Sequence, residues 1–155
     1  MKAFDMVNWG LLLDTLAAFQ FPFKVINWIR ICLTTLKFSI SINGELAGFF
    51  SGKRGLRQGD PISPFLFVMA MKVLSKLLAN HIAYSPNFKY HRKCDKIKLS
   101  HICFANDLNM LCHGSYHSAV VLKSALDEFS LLSGLGANHA KSNTFMSGVP
   151  NAISQ

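Results

Sequence analysis

Two short stretches of this chain each predict an antiparallel β-hairpin, and they constrain the fold more than any other feature. Residues 37–50 (KFSISINGELAGFF) alternate apolar and polar residues around an Asn-Gly pair, which is a strong signal for a two-residue turn. Residues 99–114 (LSHICFANDLNMLCHG) place two apolar runs on either side of Asn106-Asp107. A hairpin there presents two polar side chains, so the pair is a metal site, a damaged metal site or a plain turn.

The remaining periodicity is helical and, together with the hairpins, predicts an α+β fold of antiparallel hairpins packed on helices. Residues 9–20 predict an amphipathic helix, and a second helix begins after Pro22 and runs to about Leu36. Residues 65–82 predict a helix that is buried on most sides, and residues 117–133 predict another that ends at Gly134 and Gly136. Residues 141–148 predict a last short strand. The predicted helix at residues 9–20 has one apolar face, which consists of Leu12, Leu13, Leu16 and Phe19.

Charge and length narrow the classes of function. The 155 residues fit one domain or part of a larger one, and 16 Lys and Arg against 8 Asp and Glu favour a polyanionic partner such as nucleic acid. No uncharged run approaches the length of about 18–20 residues that spans a bilayer, so no membrane association is expected. The N-terminal residues do not resemble a signal peptide, and the four cysteines are therefore expected to be free thiols.

A zinc site is a minor alternative. The pairs His91-x-x-Cys94 and His101-x-Cys103 have ligand-like spacing, but the sequence lacks a second Cys-x-x-Cys half. The segment 51–64 (SGKRGLRQGDPISP) is rich in Gly, Pro and cations and predicts a loop that opens a helix. Asp60 is the expected N-cap of that helix, and Pro61 is its expected first residue.

Three segments in this order closely resemble the reverse transcriptase of LINE-type (non-LTR) retrotransposons, especially plant elements. They are KAFDMVNW at residues 2–9, GLRQGDPISPFLFVMAM at 55–71, and FAND at 104–107 followed by FSLLSGLGANHAKS at 129–142. The resemblance covers nearly the whole chain. It implies part of the fingers and palm of a right-hand polymerase in a single partial domain without a thumb, and RNA-templated DNA synthesis. It also implies an RNA template, a DNA primer, deoxynucleoside triphosphates, Mg²⁺ and a nuclear location.

The resemblance also assigns roles to individual residues. Phe4 corresponds to the aromatic residue that excludes a 2′-hydroxyl, and Gln58 and Gly59 correspond to residues beside the incoming nucleotide. Arg57 is expected to face its phosphates, together with Lys53 and Arg54 as nucleic-acid contacts. From the residues alone, a basic surface loop for 51–64 and a core position for Phe4 remain open.

The family's metal carboxylates are incompletely matched. The first is an Asp three residues before the Lys of the Lys-Ala-Phe-Asp motif, which would fall before Met1, and Asp5 is not that residue. The second is the first Asp of Phe-Ala-Asp-Asp, where this chain has Asn106, so Asp107 is the one expected metal ligand. Two Mg²⁺ ions need bridging carboxylates, and the sequence therefore predicts a truncated, degenerate and inactive copy. Further departures from the family pattern are Gly10, Lys72 and Asn109.

Three other expectations complete the sequence-based hypotheses. Lys141 corresponds to a basic residue that could neutralise the leaving pyrophosphate, and a solvated lysine is the alternative. The basic and aromatic segment 84–96, with Arg92 and Lys93, could bind nucleic acid without catalysis. A reading frame that yields little folded protein is the remaining alternative. The oligomeric state is left open.

Overall fold

The computed structural model describes residues 3–146, which form two compact units with a boundary between residues 70 and 71. The helices and strands follow the predicted α+β order. They are α1 (Trp9–Ala18), α2 (Phe23–Thr34), β1 (Lys37–Ile42), β2 (Glu45–Ser51), α3 (Ser63–Ala83), β3 (His101–Phe104), β4 (Asp107–Met110) and α4 (Tyr116–Ser133). Short 3₁₀ helices lie at Ala3–Met6, Asp95–Ile97 and His139–Lys141.

In the first unit, α1 and α2 pack against each other. Asn8 caps α1 by accepting hydrogen bonds from the backbone of Gly10 and Leu11, and Pro22 precedes the first turn of α2. The apolar face of α1 buries Leu12 and Leu16 almost completely, as predicted. Phe19 does not join this face, because α1 ends at Ala18 and the side chain of Phe19 is 48% exposed.

The first hairpin confirms the predicted turn. Asn43 and Gly44 both have positive φ, 53° and 89°, as a type I′ turn requires. Strands β1 and β2 pair from Lys37↔Ser51 to Ile42↔Glu45, with a register shift between Ser39 and Ile40. The hairpin is exposed along nearly all of its length, so the expectation that it packs on helices is wrong for this element.

Helix α3 begins two residues after Pro61, its expected first residue, and it is less buried than predicted. It starts at Ser63, so Pro61 lies in the preceding turn and not at the first helical position. Asp60 stabilises that turn instead, because its carboxylate accepts a hydrogen bond from the Ile62 N–H at 3.1 Å. One stripe of α3 is buried, whereas Phe65 and Val68 are 73% and 54% exposed. The stripe consists of Ser63, Leu66, Phe67, Ala70, Leu74 and Leu78.

By length and composition, α3 could cross a membrane, with a mean hydropathy of 1.4 in its most apolar window. The sequence-based expectation considered only uncharged runs, and it did not consider α3, an otherwise apolar helix that Lys72 and Lys76 interrupt. A core helix passes the same test, so α3 is weak evidence for membrane association. In the structure, 28% of this most apolar stretch of α3 is buried.

In the second unit, the C-terminal part of α3, the hairpin β3–β4 and α4 surround one apolar core. Its buried centre contains Leu74, Leu78, Leu122, Ala125 and Phe129. Ser115 caps α4, and Gly134, at φ 75°, ends it as predicted. No strand forms in the described part of the predicted last strand: residues 139–141 are a 3₁₀ turn and 142–146 are irregular. Residues 147 and 148 lie outside the described residues.

Candidate functional site

The loop at residues 52–59 is fastened to the N-terminal segment of the first unit by three hydrogen bonds. The Gly55 N–H donates to the Val7 carbonyl at 2.8 Å, and the Leu56 N–H donates to the Phe4 carbonyl at 2.7 Å. The Trp9 indole N–H donates to the Gly55 carbonyl at 2.6 Å. Gly55 has φ +90°, and an added Cβ would lie 2.7 Å from the Asp5 carbonyl oxygen. Two segments distant in sequence therefore form one wall.

A cleft of about 420 Å³ opens beside this wall, and its lining contains three of the four residues assigned to nucleotide binding. Phe4, Gln58 and Gly59 line it, whereas Arg57 is exposed and is not among the lining residues. Lys53 and Arg54 are also exposed, on the preceding part of the loop. The remaining lining residues are Asp60, Pro61, Ser63 and Pro64.

The ring of Phe4 is held in place by a second phenylalanine. The rings of Phe4 and Phe67 stack with centroids 4.8 Å apart and an interplanar angle of 8°. Phe67 is 3% exposed, and the Phe4 carbonyl accepts the hydrogen bond from Leu56. Such stacking fixes the plane of the Phe4 ring where it lines the cleft. Phe67 was missed from the sequence, because only tertiary structure brings residues 4 and 67 together.

In the second unit, the hairpin β3–β4 places the polar pair on its outer side. The turn residues are Ala105 and Asn106, and Asp107 is the first residue of β4, paired with Phe104. The turn therefore lies one residue earlier than the Asn106-Asp107 pair suggested. Leu108 and Met110 alternate with Asp107 along β4 and pack on the apolar core, so Asp107 is exposed. Asn109 is exposed on the same side as Asp107, which is why a polar residue is tolerated there.

The donor set at this hairpin does not fit the two Mg²⁺ ions that the sequence resemblance implies. Mg²⁺ prefers anionic oxygen ligands, and Asn106 and Asp107 together supply one carboxylate. Within residues 3–146, no group of three or more His, Cys, Asp or Glu side chains could hold a metal ion. The zinc alternative also has too few ligands. His91 and Cys94 form only a pair, with Nδ1 and Sγ 3.8 Å apart.

The basic segment before β3 combines cations with an ordered aromatic pair. Phe88 and Tyr90 meet edge to face with centroids 5.0 Å apart, and the Lys98 ammonium lies over the Tyr90 ring at 5.0 Å. Arg92 and Lys93 are exposed on the same segment. Lys141 is exposed after α4, and within the described range no ion pair joins it to Asp107.

His101 links the hairpin β3–β4 to helix α3. Its Nε2 lies 2.9 Å from the Ser75 hydroxyl, and its Nδ1 lies 3.1 Å from the Ser100 hydroxyl. Burial lowers the pKa of His101 below its usual value of 6.5, and the positive charge of Lys72 lowers it further. The neutral imidazole is therefore the form that the folded unit favours. This residue was considered in the sequence only as a zinc ligand.

We expect the second unit to lose stability as the pH falls below 6.5, the usual histidine value. The folded pKa of His101 is lowered, so the unfolded chain binds the proton more tightly. The stabilisation is complete above the unfolded pKa and is lost as the pH falls towards the folded pKa. Urea unfolding of the chain and of His101→Gln, on both sides of that pH, would measure this. An equal pH dependence of both proteins would assign the effect to other histidines.

Comparison with known proteins places this arrangement in a family. Residues 1–151 match the family described as "Reverse transcriptase (RNA-dependent DNA polymerase)". The chain is 29% identical over 140 residues to the Pol polyprotein of the type-2 retrotransposable element R2DM from Drosophila melanogaster. It is 32% identical over 109 residues to an uncharacterised mitochondrial protein from Arabidopsis thaliana. A type-1 element R2 polyprotein from Nasonia vitripennis is 28% identical over 110 residues.

The chain therefore belongs to the reverse transcriptase family, and it is similar to part of the Pol polyproteins of R2 retrotransposable elements. The three matches cover 90%, 69% and 71% of this chain, respectively. The chain spans 12% and 10% of the length of the two insect polyproteins and 87% of the Arabidopsis protein. The mixed α+β architecture agrees with the fold expected from the sequence.

Proposed function

We propose that the cleft of the first unit is the binding site for an incoming deoxynucleoside triphosphate, on a domain that engages an RNA template and a DNA primer. One observation carries this proposal: Phe4 comes from one sequence motif and Gln58 and Gly59 from another, and all three line the same cleft. In this proposal the first unit and the hairpin β3–β4 correspond to parts of the fingers and palm of the polymerase.

The chemistry of the lining suits a nucleotide. Phe4, Pro61 and Pro64 supply apolar surface for a sugar and base, and Gln58 can both donate and accept hydrogen bonds. The exposed Arg57, with Lys53 and Arg54 on the same loop, would contact phosphates. The ring of Phe4, fixed by its stack on Phe67, would lie against the sugar and reject a 2′-hydroxyl.

We further propose that the basic segment of the second unit, including Arg92 and Lys93, contacts the phosphate backbone of the template–primer. Its aromatic pair supports this proposal, because the edge-to-face contact of Phe88 and Tyr90 holds the segment in a defined shape. Lys141 would approach the leaving pyrophosphate.

We also propose that the chain binds these partners without catalysing synthesis. Asn106 replaces a carboxylate with a neutral amide, and phosphoryl transfer by two metal ions relies on carboxylates to concentrate the metal charge. Asp107 alone would hold Mg²⁺ weakly at an exposed position. The binding steps and the chemical step are thus assigned to different residues, and each can be tested alone.

Phe4→Val is expected to narrow the preference for deoxynucleotides over ribonucleotides by about tenfold, because the smaller side chain makes room for the 2′-hydroxyl. Calorimetric titration with the Mg²⁺ complexes of dUTP and UTP, which differ only at the 2′ position, would measure both affinities. Phe65→Val, the same change at an exposed position of α3 outside the cleft, is the matched control. Equal affinities of the unmodified chain for both nucleotides would show that Phe4 does not select the sugar. No binding of either nucleotide would overturn the proposed nucleotide site.

A further inference from the structure

Helix α2 carries an exposed stripe whose composition is unusual for a solvent face. Its buried face consists of Ile26, Ile29 and Leu33. The opposite face presents Lys24, Trp28 and Ile31 at positions i, i+4 and i+7, so these side chains lie above one another. Trp28 is 55% exposed and Ile31 is 49% exposed. We call these three residues the α2 stripe.

Two residues flank the α2 stripe and extend its character. Phe23 at the start of α2 is 77% exposed, and Arg30, seven residues later and therefore on the same flank, is also exposed. Large apolar residues gathered on an exposed face commonly mark an interaction site, whereas single exposed ones are ordinary. The α2 stripe thus carries an exposed aromatic ring beside a cation, Trp28 with Lys24, and its flank adds a second ring and a second cation, Phe23 and Arg30.

The charge around the α2 stripe indicates the kind of partner. Residues 15–44 contain no Asp or Glu, whereas they contain Lys24, Arg30 and Lys37. The Lys24 ammonium lies over the Trp28 ring, 5.3 Å from its centroid, so the charge and the aromatic surface coincide. An anionic partner with planar groups is complementary to both features.

We propose that the α2 stripe is a binding surface for single-stranded nucleic acid. A base of the strand stacks on the exposed ring of Trp28, while Lys24 contacts a phosphate beside it, and Phe23 and Arg30 on the flank extend the surface along the strand. Stacking on aromatic side chains accepts every base, so the surface binds with little sequence preference. It lies outside the residues that line the cleft and needs neither a bound nucleotide nor the polymerase reaction.

Fluorescence of the native tryptophans provides a direct test, because the chain has only two of them. Trp9 is partly buried and donates its indole N–H to Gly55, so Trp28 is the one that a strand can reach. Titration of the full chain with oligo-dT or oligo-U is expected to quench the emission of Trp28. Trp28→Phe removes that emission and keeps a ring for stacking, so it should still bind fluorescein-labelled oligo-dT.

Trp28→Ala is expected to weaken oligo-dT binding by about five- to hundredfold, the range for losing the stacking of one base. Lys24→Gln should weaken binding less and lower the salt dependence by about one phosphate contact. Tyr116→Ala, which removes an aromatic side chain that is 81% exposed at the start of α4, is the matched control and should bind as the unmodified chain does.

Unchanged oligo-dT affinity in Trp28→Ala would overturn the proposal, as would equal losses in Trp28→Ala and Tyr116→Ala. Self-association of the chain that Trp28→Ala abolishes, without any change in oligo-dT binding, would assign the α2 stripe to a protein contact instead. Thermal melting verifies that the variants fold, which is expected because these side chains are exposed. Nucleotide binding in the cleft is measured separately, so failure of one proposal leaves the other intact.

Discussion

Asn106→Asp is expected to tighten binding of a divalent cation at the hairpin β3–β4 by about tenfold or more. A second carboxylate beside Asp107 adds an attraction to a divalent ion of about 2 kcal/mol at 4 Å in water, before screening by salt. About 1.4 kcal/mol corresponds to a tenfold change in affinity. Mn²⁺ titration followed by electron paramagnetic resonance measures this directly, since Mn²⁺ takes the same oxygen ligands as Mg²⁺.

The matched control for this change is Asn109→Asp, which adds the same charge two residues along the strand from Asp107. Asn109 pairs with Ile102 and lies away from the turn, so its carboxylate is expected to tighten Mn²⁺ binding less. Equal tightening by both variants would show a general charge effect and not a site. No tightening by Asn106→Asp would overturn the assignment of this hairpin to metal binding.

Catalysis is tested by primer extension on an RNA template with a DNA primer, with the unmodified chain and the Asn106→Asp variant compared. We expect no Mg²⁺-dependent extension from the unmodified chain. Extension is expected only after Asn106→Asp is combined with an N-terminal extension that carries the family's Asp-containing strand. Extension by the unmodified chain would refute the proposed inactivity. If the chain with both changes binds metal but still shows no primer extension, the defect would lie in template or primer binding.

Gly55→Ala is expected to destabilise the first unit by about 3 kcal/mol. The left-handed conformation costs a residue with a Cβ about 1–2 kcal/mol, and each displaced hydrogen bond adds about 0.5–1.5 kcal/mol. The new Cβ would lie 2.7 Å from the Asp5 carbonyl oxygen and 2.9 Å from its carbon, and these backbone atoms cannot move without breaking the hydrogen bonds beside them. A loss of this size is a large share of the stability of a small domain.

Gly59→Ala separates the two contributions, because Gly59 has nearly the same φ of +87° but nothing within 4 Å of an added Cβ. It should lose only the conformational part, about 1–2 kcal/mol. Urea unfolding can be followed by the emission of Trp9, whose indole bonds to the Gly55 carbonyl. Equal losses in the two variants would mean that the close approach to Asp5 has no energetic importance.

The sequence predicted those parts of the fold that local chemistry decides. The Asn43-Gly44 turn formed as expected because its backbone angles suit few other residue pairs, and Gly134 ended α4 for a similar reason. The start and burial of α3 were mispredicted, because they depend on which neighbours cover each side of the helix. In the described part of the last predicted strand, residues 141–146, no strand formed, since a short alternating pattern needs a partner strand to pair with.

The candidate site likewise contains some residues that the sequence identified and others that it did not. Phe4, Gln58 and Gly59 were named from family resemblance, and neither periodicity nor composition distinguished Phe4 from the twelve other phenylalanines. Phe67 left no signal of its role, because a buried phenylalanine on a helix has the pattern of any core residue. The outward position of Asp107 was foreseeable from alternation, whereas the identity of the turn residues shifted by one.

The alternation along β4 has a consequence for how such a domain changes over generations. Leu108 and Met110 attach the hairpin to the core, and Asn106 and Asp107 contribute nothing to that attachment. Mutations of Asn106 and Asp107 are therefore expected to change the stability of the fold little, whereas mutations of Leu108 and Met110 are expected to change it more. A copied element released from the demand to replicate can keep its architecture long after its chemistry has drifted, and the folded remnant stays available for a new use.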